Sequence, residues 1–235
     1  MSLRRLLWSC PALLCAACVG TADSAVRQHG VMREVMREGM TQPRAAIGDY
    51  IASGWYAVGA LAGLEGEILV DDGTAWIAQG SATNVQPALW QQATLLTAAR
   101  VAAWRETSLP QAVDLSGLED AIGTLVPGSL TAGAEPVPFV VQGEASALDM
   151  HVVRGACPHG DPDGPAPDRW SAAADHRVPV RLVGFFAPGR EGVMTHHGTS
   201  LHVHALTAGT PRAMGHVDSL VLAGGARLMV PAGRR

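Results

Sequence analysis

Short strand-like segments separated by turns dominate the second half of this 235-residue chain. Each segment is rich in apolar residues and is bounded by glycine, proline or polar residues, a pattern typical of β-strands joined by tight connections. The segments are residues 139–142, 148–154, 178–186, 200–206, 216–222 and 227–230. A chain with so many short strands is expected to build its fold mainly on β-sheets.

The first half mixes strand and helix signals. Residues 66–70 and 74–78 flank the segment Asp71-Asp72-Gly73, which predicts a hairpin closed by a tight turn. Short helices are predicted over residues 45–52 and 114–122. Residues 86–105 are ambiguous: their alanine, leucine and glutamine content favours a helix, whereas Thr94, Thr97 and Val101 would suit a strand. From composition alone a helix is expected there. Together the two halves predict an α/β (α+β) fold with two subdomains, built on mixed β-sheets with few short helices.

Polarity and proline content divide the chain into four parts. The first part, residues 1–22, has the apolar character of an export signal. The second part, residues 23–44, is polar, which predicts a tether or a short exposed helix. A proline-containing joint at 131–138 then separates an N-terminal subdomain, residues 45–135, from a C-terminal subdomain, residues 136–235. We expect the second subdomain to carry the metal-binding residues identified below.

The first residues have the pattern of an export signal. A positively charged start precedes an apolar or small-residue stretch, residues 6–19, which is shorter than the roughly 20 residues of a membrane span. The motif Leu-Cys-Ala-Ala-Cys, ending at Cys18, resembles a lipoprotein cleavage site, and cleavage after Ala22 or Ala25 is the alternative. The sequence therefore predicts an exported protein, periplasmic or anchored to the envelope by a lipid on Cys18.

Composition excludes several mechanisms and partners. All 17 basic residues are arginine, so this chain has no amine side chain for a Schiff base, a pyridoxal-phosphate anchor or a phosphate-binding P-loop. The formal net charge is −4 and no basic stripe is present, which predicts no nucleic-acid partner. We expect membrane contact only through the lipid anchor, and a homodimer is left open.

Three histidines have the spacing of a metal site. His202 and His204 lie two residues apart in a predicted strand, so both imidazoles project from the same face. An antiparallel return of the next strand would bring His216 beside them. Three neutral imidazoles leave a fourth coordination position open, as in catalytic zinc sites. The alternative is a polar strand face without a metal. His196 and His197 are rival ligands, but adjacent side chains diverge, so at most one could join the site, and both are expected as loop residues at its rim.

Two acids at the start of the first hairpin are candidate catalytic carboxylates. Glu65 and Glu67 share one face of the predicted strand, and the glycine between them permits close approach of another group. From the pattern alone, the two acids are explained equally well as solvent-exposed residues at the beginning of a strand, with no catalytic role.

Several segments resemble the α-acetolactate decarboxylase family. In the first half they are Ala-Ile-Gly-Asp-Tyr-Ile-Ala-Ser-Gly at 46–54 and the segment 58–73, which contains Leu-Glu-Gly-Glu. In the second half they are Val-Gly-Phe-Phe-Ala-Pro at 183–188, Leu-His-Val-His-Ala at 201–205 and Gly-His-Val-Asp at 215–218. The resemblance spans roughly residues 45–222 and is specific at its two ends.

This resemblance implies two subdomains with a metal site between them, where His202, His204 and His216 hold one Zn²⁺ ion. It also implies that Glu67 is the catalytic carboxylate. The implied reaction is decarboxylation of 2-acetolactate, or of a related small-molecule β-keto acid, to acetoin. Zinc would take up the electrons left behind when CO₂ departs, and Glu67 would shuttle the proton.

One substrate-handling position departs from the family. Gln142 stands where the family has an arginine that holds the substrate carboxylate, so a neutral amide replaces a charge-assisted partner. Arg154 or Arg181 could compensate from a neighbouring strand. Gln142 thus keeps two other hypotheses open: a catalytically silent exported zinc-binding protein on the same fold, and a different metal enzyme such as a three-histidine dioxygenase.

Overall fold

The computed structural model describes residues 25–131, 133–155, 165–173 and 176–233. The export signal predicted over residues 1–22, with Cys18, lies outside this part of the chain. The described residues form two sheets that pack face to face, and every strand pair within them is antiparallel.

The first sheet contains seven strands and is built from the N-terminal part of the chain. They are β1 Arg27–His29, β2 Ala45–Ala46, β3 Trp55–Leu61, β4 Gly66–Asp71, β5 Thr74–Gln79, β6 Val85–Pro87 and β7 Gln92–Arg100. Their order is β1-β7-β3-β4-β5-β6, with β2 also paired to β7. Helix α1, Met32–Glu38, and the 3₁₀ turns Ile47–Tyr50 and Ala62–Leu64 accompany this sheet.

The second sheet contains eight strands and curls into a small barrel. They are β8 Trp104–Leu109, β9 Val113–Asp114, β10 Val137–Val152, β11 Asp168–Ser171, β12 Val178–Phe186, β13 Leu201–Thr207, β14 Met214–Leu222 and β15 Ala226–Pro231. The order is β8-β15-β10-β12-β13-β14-β9, with β11 also paired to β10. The 16-residue strand β10 pairs with β12 through its first half and with β14 through its second half, which closes the ring of strands.

The predicted fold class is confirmed: two sheets carry few short helices. The sheets are antiparallel where mixed sheets were expected, because most consecutive strands return through short turns rather than through helical crossovers. The predicted hairpin is present as β4 and β5, with Asp72 and Gly73 both at positive φ in the two-residue turn.

Helix α2, Leu115–Leu125, confirms the prediction over residues 114–122. The Asp114 side chain accepts a hydrogen bond from the Gly117 backbone N–H at 2.8 Å and so caps the helix. Leu118 and Ile122, one turn apart, are buried against the barrel core. No helix in the described ranges is long and apolar enough to cross a lipid bilayer.

The helix predicted over residues 86–105 is wrong. This segment forms β7 and the start of β8. Strand β7 lies between β1 and β3, and seven of its nine residues are buried. A strand buried on both faces shows a continuous apolar run, which cannot be told from a buried helix by periodicity. Pairing with neighbouring strands therefore overrides the helix-favouring composition.

The helix predicted over residues 45–52 is also wrong, because the chain forms the short strand β2 and one 3₁₀ turn there. The segment expected as a tether or exposed helix does contain helix α1, but Met32 and Val35 of that helix are buried. Strand β1 pairs with β7. Residues 27–38 are thus packed against the first sheet.

Strands β8 and β9 and helix α2 precede the proline-containing joint at 131–138, yet both strands pair within the second sheet. Pairing between distant strands, which the local sequence does not encode, decides this arrangement. The second sheet therefore begins in sequence at Trp104.

An apolar layer and an ion pair are among the contacts that join the two sheets. Val58 and Leu69 of the first sheet pack with Val140 and Val183 of the second. Beside this layer, the Arg181 guanidinium donates two hydrogen bonds of 2.9 Å, one to each carboxylate oxygen of Asp71. Such a bidentate pair fixes the angle as well as the distance between the two groups.

We predict that Gly59→Ala strongly destabilises the protein. Gly59 lies in buried strand β3, where an added Cβ would collide with the backbone carbonyl of Leu95 and would lie 2.9 Å from the Leu96 Cα. Backbone atoms of the neighbouring strand cannot move aside cheaply, so we expect a loss of about 1–3 kcal/mol or more in urea unfolding. Gly209→Ala, with its nearest contact at 3.4 Å, is the control and should change stability little. Equal effects would contradict this account.

Candidate metal centre

Three neighbouring strands carry histidines in one row. His204 of β13 lies opposite His216 of β14, and His216 lies opposite His151 of β10. His202, two residues before His204, projects from the same face of β13. One ring nitrogen from each of His202, His204 and His216 lies within 4.8 Å of the others. The structure thus brings the three predicted ligands together.

The chemistry of this donor set fits a zinc ion. His202 Nδ1 and both ring nitrogens of His204 are buried and have no hydrogen-bond partner among the described residues. Unpaired buried nitrogens are costly, and a bound cation would use their lone pairs. With zinc–nitrogen bonds of about 2.1 Å, a tetrahedral site holds its nitrogens about 3.4 Å apart. The three ring nitrogens, which lie within 4.8 Å of one another, would move closer together on binding.

Burial keeps these imidazoles neutral. It lowers the pKa of His202 to about 3, with a smaller contribution from His196. Burial, followed by the neighbouring histidines, also lowers the pKa values of His204 and His216 well below the usual 6.5. Neutral imidazoles are the form that binds metal, so the histidine row is ready to bind a cation at neutral pH.

Glu67 faces the histidine row from the first sheet. Its Oε2 lies 3.6 Å from His204 Nε2, and its Oε1 accepts a hydrogen bond of 3.2 Å from the Val153 backbone N–H. The side chain is 3% exposed. Burial raises the pKa of Glu67 from 4.5 to about 7, partly opposed by His151 and by the Val153 hydrogen bond. Near neutral pH this carboxyl can therefore both hold and release a proton.

The sequence analysis missed the pair of His151 and Asp218. His151 Nδ1 lies 2.7 Å from Asp218 Oδ1, and the His151 ring is 5.1 Å from that of His216. Burial lowers the pKa of His151, but the Asp218 hydrogen bond and the charge of Glu67 outweigh it and leave a net increase. The sequence contained a signal for this pair. Asp218 follows His216 by two residues and therefore shares its strand face, and His151 lies in the predicted strand 148–154.

A small cavity lies among these groups, which we call the histidine cavity. It has a volume of about 20 Å³. Its polar wall consists of Glu67, His151, His196, His202 and His216, and its apolar wall includes Met32 and Met36 of α1. His196, expected as a rim residue, contacts His216 with ring centroids 5.0 Å apart. A space of this size holds a water molecule or an ion.

Gln142 is not brought to the histidine cavity. It lies on β10 opposite Arg181, and its Oε1 accepts a hydrogen bond of 2.8 Å from Arg227 Nη2. It lines a separate surface pocket with Asp71 and Arg181. On β10 it lies two residues beyond Val140, which is in register with Val183 of β12 and, through it, with His204 of β13. Arg181, considered as a substitute for the family arginine, is held by Asp71, and Arg154 is exposed.

Comparisons with known proteins agree with this architecture. A model of the alpha-acetolactate decarboxylase family matches residues 26–230. Among solved structures, the fold is similar to that of alpha-acetolactate decarboxylase from Bacillus subtilis strain 168, with a TM-score of 0.70, 14% identity, and coverage of 88% of this chain and 85% of that chain.

A second similar structure is a Staphylococcus aureus protein of unknown function, described as similar to alpha-acetolactate decarboxylase. Its TM-score is 0.66, with 15% identity and coverage of 88% of this chain and 85% of that chain. At these identities the likeness concerns the fold. No curated protein matches this sequence.

We predict that the protein binds one zinc ion and that His204→Ala weakens zinc binding more than tenfold. Loss of a partner that only orients a ligand already costs about 10–100-fold in metal affinity, and loss of a ligand should cost at least as much. Zinc titration of the stripped protein, read by metal analysis and thermal unfolding, measures this effect. Glu67→Gln is the control and should keep zinc. If both variants lose zinc equally, Glu67 is itself a ligand.

We predict that the metal-free protein has an acid-sensitive contribution to stability from His202. In the unfolded chain its pKa is near 6.5, whereas in the folded chain it is about 3. Between these values the unfolded state holds more protons, so stability is lost as pH falls. Glu67, with a raised pKa, acts in the opposite direction, so its stabilisation is lost as pH rises from about 4.5 to 7.

The test compares variants rather than total stability. His202→Asn should reduce the pH slope of the unfolding free energy by ~1.4 kcal/mol per pH unit between pH 4 and 6. Urea unfolding at a series of pH values measures the slope. The exposed His176 offers a control, His176→Asn, whose slope should match that of the unchanged protein. An unchanged slope in His202→Asn would contradict the prediction.

Proposed function

Because the chain belongs to the alpha-acetolactate decarboxylase family, we propose that it decarboxylates 2-acetolactate, or a related 2-hydroxy-3-keto acid, to acetoin or the corresponding hydroxyketone. The observation that carries this proposal is the buried Glu67 carboxyl 3.6 Å from His204, within a row of histidines suited to zinc. We also propose that the protein is exported, on the strength of the signal pattern in residues 1–22.

His202, His204 and His216 would hold the zinc ion. When bound, zinc supplies a Lewis acid that draws electron density from the substrate oxygens. His204 and His216 lie on paired neighbouring strands, so the substrate would be oriented against side chains that the sheet holds in place.

Glu67 would supply the proton. In the reaction the C–C bond to the carboxylate breaks, CO₂ leaves, and the electron pair stays on the remaining skeleton until the former carboxylate-bearing carbon is protonated. A carboxyl with a pKa of about 7 is protonated in a large fraction of molecules at neutral pH. The Val153 N–H holds Oε1, which leaves Oε2 directed at the histidine row.

The shape of the histidine cavity supports the same chemistry. With a volume of about 20 Å³ and an apolar wall formed by Met32 and Met36, it admits little water beside the reacting atoms. Electrostatic interactions are stronger where water is excluded, so the charge that develops on the substrate is stabilised more effectively.

We expect Glu67→Gln to lower acetoin formation at least ~100-fold while zinc content is unchanged, because the amide cannot deliver a proton. The assay follows acetoin from racemic 2-acetolactate with the zinc-loaded protein. Glu65→Gln is the matched control, since Glu65 is exposed two residues away on the same chain segment. Removal of zinc by a chelator should abolish turnover in every variant.

The same preparation tests the other hypotheses. Acetoin formation no faster than the spontaneous reaction, with zinc bound, would overturn the decarboxylase and leave a silent zinc-binding protein. Iron in place of zinc after anaerobic purification would favour a different metal enzyme.

A further inference from the structure

The histidine cavity is too small to hold a whole hydroxy-keto acid. Its volume is about 20 Å³, which is enough for about one water molecule, whereas ligand sites usually have several hundred Å³. On the proposed function, most of the substrate must therefore lie in a pocket that adjoins this cavity. Two pockets do so among the described residues, one on each side of His196.

The first adjoining pocket, the Asp218 pocket, is unfavourable for an anion. It has a volume of about 450 Å³ and shares His151 and His216 with the histidine cavity. Two carboxylates line it, Asp218 and Glu119. Asp218 contacts His151 and Arg169, and Glu119 accepts hydrogen bonds of 2.7 Å from the loop before β13. An incoming carboxylate would meet like charge there.

The second adjoining pocket, the α1 pocket, has the opposite charge. Its volume is about 330 Å³, and it lies between α1 and the loop formed by residues 190–197. It shares Met32, Met36 and His196 with the histidine cavity, so the two spaces are direct neighbours on either side of these side chains. Arg33 and Arg37 line it, and none of the described residues in its wall is acidic.

Arg33 and Arg37 lie on one face of α1. They are four residues apart, the spacing that brings helical side chains together. Both are exposed, and neither side chain makes a hydrogen bond or ion pair to another described residue. By contrast, Glu34 on the same helix is paired with Arg44 at 3.3 Å. Two guanidinium groups are therefore available to one carboxylate in this pocket.

A buried hydroxyl completes the set. Thr195 lines the α1 pocket and is 0% exposed, and its Oγ1 has no hydrogen-bond partner in the described part of the chain. A buried hydroxyl left unpaired costs free energy, and a ligand oxygen in the pocket would pair it once the atoms that now cover it move aside. The loop that carries Thr195 is fixed to α1 by backbone hydrogen bonds, from Met32 to Val193 and from Arg33 to Gly192.

We propose that the α1 pocket is a carboxylate-binding site that holds the acid group of the substrate beside the histidine cavity. Arg33 and Arg37 bind the carboxylate, and the Thr195 hydroxyl donates a hydrogen bond to it. Met32 and Met36 contact the alkyl part of the ligand. This site supplies a positively charged partner for the substrate that Gln142, a neutral residue outside the wall of the histidine cavity, does not provide.

The binding test uses 2-hydroxyisobutyrate, a 2-hydroxy acid without a 3-keto group, which cannot lose CO₂ by this route. We expect the full chain to bind it whether zinc is present or removed, and Arg33→Gln and Arg37→Gln each to weaken binding about tenfold. Raised salt should weaken binding in the unchanged protein. Arg177→Gln, at an exposed arginine outside the pocket, is the matched control. The uncharged amide of the same acid should bind poorly to every variant.

Thr195→Val separates a binding role from a packing role. Valine has nearly the same shape, and loss of an unpaired buried hydroxyl should leave the melting temperature unchanged or raise it. We expect the same variant to bind 2-hydroxyisobutyrate about tenfold more weakly. A packing role alone would leave the affinity unchanged and would overturn the proposal.

Kinetics distinguish this site from the reaction centre. A contact made equally in the bound substrate and in the transition state affects KM, so Arg33→Gln should raise KM for 2-acetolactate about tenfold with little change in kcat. Arginine variants that bind the acid and turn over as the unchanged protein does would overturn the α1 pocket while the decarboxylase stands. Arginine-dependent binding without acetoin formation would support the pocket and overturn the proposed function.

Discussion

The antiparallel register of β10, β13 and β14 is the constraint on which the site depends. It sets His204 opposite His216 and His216 opposite His151, so one row of ring nitrogens crosses three strands. A slip of one residue in β13 would turn His202 and His204 towards the barrel core. The apolar residues Leu201, Val203 and Ala205, which now face that core, would take their place at the site. The pairing of β13 with β12 on one side and with β14 on the other opposes such a slip.

Burial of these polar groups is costly, and the apolar layer around them offsets the cost. Glu67 and His204 are almost fully enclosed, next to a cluster that contains Leu69 and Val183. Burial raises the pKa of Glu67 and lowers the pKa of His204. The same environment therefore gives a carboxyl that can carry a proton and a neutral imidazole that can bind a metal. Stability is thus exchanged for a pre-organised site.

Strand periodicity predicted much of the second half. Strand β12 spans the predicted residues 178–186, and β13 lies within one residue of its predicted bounds, because each is a short apolar run that ends at clear turn residues. The pattern failed for β7, whose two buried faces remove any alternation. Long-range pairing, such as that of β8 with β15, leaves no local trace in sequence.

The site was only partly predictable for the same reason. The spacing of His202, His204 and His216 carried enough information, since period-two geometry places two of them together. His151 and Asp218 were missed because they meet only across the β10–β14 pair, and α1 was taken as exposed although its buried Met32 and Val35 pack on the first sheet. Partners contributed by separate elements appear only once the sheets are assembled.

The ion pair between Asp71 and Arg181 has a consequence for the distance between the acid and the imidazoles. Asp71 lies four residues from Glu67 on the same strand, about 13 Å along β4, and Arg181 belongs to the sheet that carries the histidines. The two halves of the reaction centre sit on separate sheets, so shear between the sheets would alter the gap between Glu67 and His204 directly. The two hydrogen bonds between Arg181 and Asp71 resist that sliding. They therefore help to hold the separation between Glu67 and His204, although they lie some distance from both residues.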